Sequence, residues 1–235
     1  MQLTEVSMTG VRSAVITVQR LNTPLRFMLV PMVHLGTPDF YRDVTSRLAD
    51  CQVIVAEGVS GDSAVTRALT LAYRMPARSN RLGLVVQDID LSALARAGAH
   101  VVRPDLTAEQ ARRGWRTVPL VHRLAVLALV PVFATAFRLF GSRRVMSRFL
   151  ATDDLPTPEE HQIRQAFPAL TNLIGDDRDR MLVRTLVSIL SARADEPIVV
   201  AVVWGAGHMA AVIRELARYE YRPRRAEWLT VFEFG

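Results

Sequence analysis

Apolar residues along this chain gather in short, nearly continuous runs separated by stretches of helical spacing. Residues 13–18 and 25–33 are rich in β-branched side chains, and the Leu-Asn-Thr-Pro between them carries turn chemistry, so the pair predicts a hairpin or two sequential strands. Residues 39–48 put Phe40, Val44 and Leu48 on one helical face, and residues 52–56 form the next apolar run, which gives a β-α-β unit. Further strands are expected at 82–86, 99–102, 198–203 and 228–232, with helices at 64–73 and 178–190. Runs that are continuous and not alternating belong to a sheet covered on both faces. The expected fold is therefore α/β, with a mixed, mainly parallel central sheet flanked by helices.

The middle of the chain breaks this alternation. From Thr107 to about residue 150 the pattern is helical throughout, and it opens on the capping-box sequence Thr107-Ala-Glu-Gln110. It reads as a helical insertion, about 107–158, in a single domain 1–235, with the acidic, proline-bearing stretch 153–158 as the hinge back to the body. Residues 124–137 carry no charge, but a bilayer span needs about 18–20 apolar residues, and Pro131 interrupts this stretch between Arg123 and Arg138. A kinked apolar helix pair packed on the body is the first expectation. An interfacial helix flanked by snorkelling arginines and Trp115 is the alternative.

Composition narrows the class. At 235 residues, 50% apolar and 22% charged, the chain is globular and not disordered. Its 29 basic residues, all arginine, outnumber 23 acidic ones, for a net charge of +6. The arginines are scattered, with concentrations around the middle helices and near the C-terminus, and no nucleic-acid-binding motif surrounds them, so no nucleic-acid partner is expected. The single cysteine, Cys51, excludes an intramolecular disulfide framework, and no signal-peptide pattern opens the chain. The expectation is a cytoplasmic protein; peripheral membrane contact and homo-oligomerisation both stay open.

Three ionisable residues share one address, just after a buried apolar run: His34, Glu57 and His208. Ligands of open α/β sheets bind at the carboxyl ends of the strands, so parallel strands would bring these three to one edge. Two neutral imidazoles and a carboxylate suit a divalent metal with an open position for water. Asp88, after the fourth strand candidate, is a further candidate ligand, with a helix cap as its alternative; Asp105 is equally ambiguous. Arg178 lies four residues before Leu182, whose face with Leu186, Ile189 and Leu190 is the buried one, so Arg178 points inward and Arg180 outward. An inward arginine needs a ligand or a carboxylate such as Glu57 or Asp88. Gly205-Ala-Gly207 lacks the third glycine of a dinucleotide fingerprint and the Lys and Ser/Thr of a phosphate loop, and no serine elbow is present. His100, His122 and His161 lie outside the strand-end pattern.

Pro31-Met-Val-His34, Val55-Ala-Glu57-Gly, Asp177-Arg178-Asp179 and Gly205-Ala-Gly-His208 together resemble the motifs of the TraB/PrgY/GumN family, which includes the Tiki proteases and is distantly similar to ChaN-like and erythromycin-esterase-like proteins. The resemblance runs in order over roughly residues 25–220. It implies a metal-dependent hydrolase that cleaves a peptide or related amide, with His34 and His208 as ligands of manganese, cobalt or zinc, Glu57 as ligand or general base, and Arg178 as electrostatic stabiliser. Pro31 stands where the family has glycine. The alternative is a non-catalytic module that holds a small-molecule ligand, or signals, through the same strand-end pocket.

Overall fold

The computed structural model describes residues 1–58, 70–71, 74–75, 77, 81–148, 150–153 and 158–234. Its chain order is β1 (Gln2–Val6), β2 (Gly10–Gln19), β3 (Arg26–Met32), β4 (Leu35–Gly36), α1 (Pro38–Leu48), β5 (Val53–Ala56), β6 (Val85–Val86), α2 (Leu91–Arg96) and β7 (His100–Val102). The helices α3 (Ala108–Thr117), α4 (Leu120–Phe140) and α5 (Arg143–Ser147) follow, then β8 (Thr152–Asp153), α6 (Pro158–Ala166) and α7 (Pro168–Thr171). A π-helical turn, Asn172–Asp176, leads into α8 (Asp177–Arg193), β9 (Val199–Gly205), a short 3-10 turn, α9 (Met209–Arg218) and β10 (Arg222–Glu233).

The architecture is α/β, a mixed central sheet flanked by helices. Among the described residues the main sheet runs β7-β5-β9-β3-β2-β1-β8, with β10 also paired to β2. The first four strands are mutually parallel, and the pairings of β2 with β3, β1 and β10 are antiparallel. The predicted hairpin is present, with Asn22 at φ 59° in its turn. β9 shows why the strands read as continuous apolar runs. Val200, Val202 and Trp204 face one core with Leu182, Leu186 and Leu190 of α8 and Met209, Val212 and Leu216 of α9. Ala201 and Val203 face the other core, with Phe40, Tyr41, Val44 and Leu48 of α1. Alternate residues are thus buried on opposite faces, as a doubly covered sheet requires.

Helix starts follow the local chemistry. Thr37 caps α1 by accepting from the Phe40 N–H ahead of Pro38, and Thr107 and Gln110 close a reciprocal capping box at α3.

Several expectations need correction. Of residues 82–86 only Val85 and Val86 form a strand, and they pair antiparallel with β4 in a separate two-stranded sheet. Gly83 sits at φ 56°, and Leu82 and Leu84 are core residues, so this segment serves packing more than pairing. β1 forms without an apolar run of its own, and β10 is longer than the apolar run inside it. The helix expected at 64–73 and the hinge at 153–158 lie largely outside the described residues. The apolar middle stretch is one helix, α4, with Pro131 inside it, and most of it is exposed.

Leu186, 1% exposed between α8 and the sheet, tests this packing. Leu186→Ala is expected to lower the unfolding free energy by about 2–5 kcal/mol in urea titrations.

Candidate functional site

The four parallel strands end at one edge of the sheet, and each is followed by a polar residue: His34 after β3, Glu57 after β5, Asp105 after β7 and His208 after β9. Arg178, in the first turn of α8, reaches in among them. Its Nε donates to Asp105 Oδ1 at 2.8 Å, and its Nη2 donates to Asp105 Oδ2 and to Glu57 Oε1, both at 2.6 Å. Its Nη1 lies 3.4 Å from His208 Nε2, and the guanidinium stands 5.2 Å from the ring centre of Trp204. As helical phase requires, the Arg178 side chain is 15% exposed, whereas Arg180 turns to solvent and pairs with Asp177.

The carboxylates are braced from behind by backbone N–H groups. Asp105, whose side chain is fully buried, accepts from Leu106 at 2.7 Å and Gly58 at 3.0 Å. Glu57 Oε2 accepts from the Gly205 N–H at 2.7 Å. A Cβ at position 205 would lie 3.2 Å from that oxygen and 3.6 Å from His208 Cδ2, so glycine here permits the close approach. His208 Nδ1 lies 2.6 Å from Asp179 Oδ1, and its ring meets Trp204 edge to face at 5.2 Å. His208 is thus held at both ring nitrogens, by Arg178 at Nε2 and by Asp179 at Nδ1.

Electrostatics separate the roles. Burial alone would raise Glu57 and Asp105, but both are held below the usual carboxylate range. For Glu57 the chief cause is the charge of Arg178, helped by the Gly205 N–H; for Asp105 it is the hydrogen bond and charge of Arg178 with the N–H groups of Leu106 and Gly58. Both are ionised near neutral pH. Burial likewise would lower Arg178, yet its two carboxylates raise it. His34 sits at the solvent edge of the cluster, and its pKa is lowered, first by desolvation and then by the charges of Arg178 and His208, with Glu57 opposing. It is therefore the neutral base of the group. Cys51, buried under α1, has its thiol pushed up to about 12 and takes no part.

The structure thus brings His34, Glu57, His208 and Arg178 together. Asp88 is not among them; it is exposed beyond β6, outside the main sheet. Asp105 takes the place given to Asp88, at the end of a true parallel strand. Asp179 and Trp204 also belong to the site and carry no functional signal in the sequence, since an aspartate in a first helical turn and a tryptophan ending an apolar run look structural. His100 is exposed on β7, and His122 packs its ring against Phe167.

The arrangement does not fit a divalent ion. Both oxygens of Glu57 are engaged, one by a guanidinium, and His208 Nε2 faces the same cation at 3.4 Å. Among the described residues no group of three His, Cys, Asp or Glu is disposed to hold a metal. The Arg178 guanidinium stands against the Glu57 and His208 atoms that an ion would need.

No family model, curated protein or solved structure matches the chain.

Asp105→Asn would leave Arg178 with one carboxylate, and the expected cost is about 3 kcal/mol at neutral pH. The depressed Asp105 pKa contributes stability above its unfolded value of about 3.8 and loses it as the pH falls through the native value. The gap between wild type and variant, read by urea unfolding, should therefore be full near pH 7 and shrink below pH 4.

Proposed function

We propose that the protein is a hydrolase acting on a carbonyl substrate, a peptide or related amide, with His34 as general base. The observation that carries this reading is a neutral, solvent-edge imidazole beside an ionised, immobilised carboxylate and a pinned arginine. A general base must be unprotonated at the working pH, and the lowered pKa of His34 keeps its imidazole in that form. In this scheme His34 accepts a proton from water as the water oxygen bonds to the carbonyl carbon. Glu57 favours the imidazolium so formed, and the same proton then passes to the leaving nitrogen as its bond to carbon breaks. Products are a carboxylic acid and an amine.

Glu57 is poorly suited to be the base, because both its oxygens are engaged and its pKa is depressed. Arg178, whose charge Asp105 and Glu57 already neutralise, fixes Glu57 in place. His208, oriented by Asp179 and Trp204, is a positioning residue for Arg178. No step is assigned to a metal. The ligand-binding alternative would use Arg178 to recognise an anion, but Asp105 and Glu57 already neutralise it.

The test is product detection by mass spectrometry after incubating the full chain with a peptide library and a panel of amides and esters. Hydrolysis is expected to fall about 10²–10⁴-fold in His34→Gln. The acid limb of kcat/KM should lie below the ordinary histidine value of 6.5, because the base is active only when neutral. Absence of any product, or full activity in His34→Gln, overturns the reading.

A further inference from the structure

The helix α4 violates the usual rule for a surface helix, which shows charge on the face opposite the core. Its line of contact with the body is narrow, marked by buried Ala134 and Phe137. Around the rest of its circumference Val121, Leu124, Leu127, Val132, Phe133 and Phe140 are between 49% and 81% exposed. Between Arg123 and Arg138 the only polar side chain is Thr135. Only 11% of its most apolar stretch is buried, so it is not a core helix. Contiguous exposed apolar surface on this scale marks an interaction site.

Charge says what the site takes. From residue 110 to 152 the chain has eight arginines and no aspartate or glutamate. Removing those eight from 29 leaves 21 basic residues against 23 acidic ones elsewhere, so the whole positive excess lies in and beside this helix. Arg112, Arg113 and Arg116 are exposed before it, and Arg138, Arg144 and Arg148 at its far end. An apolar face bounded at both ends by cations matches the acyl region and the anionic headgroups of a phospholipid bilayer. A second copy of the chain would set the two arginine groups against each other.

The helix is long enough to cross, 21 residues or about 31 Å, but it is tied down near both ends. His122 stacks on Phe167 at 4.8 Å, Phe137 belongs to the main core, and the Leu139 carbonyl accepts from Arg81 at 2.8 Å. Just beyond, Arg143 donates to the carbonyls of Leu82 and Glu233 at 2.7 and 2.8 Å. A helix so fastened enters a bilayer sideways. We propose that α4 with its flanking arginines is an in-plane anchor that seats the protein on anionic phospholipid membranes.

Flotation of the full chain with phosphatidylcholine vesicles, with and without phosphatidylglycerol, tests this. Binding is expected to the anionic vesicles and to weaken with added salt. It should drop about fivefold for each arginine removed in Arg138→Gln and Arg148→Gln, and be lost in Leu127→Glu with Val132→Glu. These positions are exposed, so an unchanged thermal unfolding transition serves as the folding control. The proposal is overturned if wild type fails to float, if it binds neutral and anionic vesicles equally, or if the glutamate variant floats as wild type does. A non-floating dimer that the glutamate variant dissociates would also overturn it, in favour of a second copy on this face.

Discussion

The candidate site is organised by the buried charge of Arg178. A guanidinium at 15% exposure is costly unless its donors are satisfied, and here Asp105 takes two of its hydrogen bonds and Glu57 a third. Those contacts join α8 to the ends of β5 and β7, and the 3.4 Å approach to His208 adds β9. One side chain therefore ties the helix layer to three of the four parallel strands. The ionised carboxylates and a cation where a metal would otherwise be sought follow from that tie.

Much of the fold was legible in the sequence because the strands that build the parallel half are buried on both faces. β3, β5 and β9 announce themselves as apolar runs. β1, Gln-Leu-Thr-Glu-Val, gave no such signal, since only part of it is buried. Residues 82–86 misled for the opposite reason: their leucines are apolar because they fill the core beside α1, and hydrogen bonding engages only two residues. Asp88 follows these residues and so lies outside the main sheet, whereas Asp105 follows a strand that belongs to it.

The inward phase of Arg178 could be read from a 3.6-residue period alone, and so could the strand-end convergence of His34, Glu57 and His208. Which carboxylates Arg178 meets could not, because that depends on strand order, and strand order is not written in local pattern. Pro31 is compatible with the strand. The antiparallel register with β2 ends at Leu29, and the Ser13 hydroxyl donates to the Pro31 carbonyl at 2.6 Å, so the missing N–H is not demanded by that ladder.

An arginine-centred site and a metal-centred one differ in what they hold. Calorimetric titration of manganese into the purified chain separates them most directly. The account predicts no stoichiometric uptake that depends on the two histidines. One ion bound per chain by wild type, and lost in His34→Ala with His208→Ala, would contradict it.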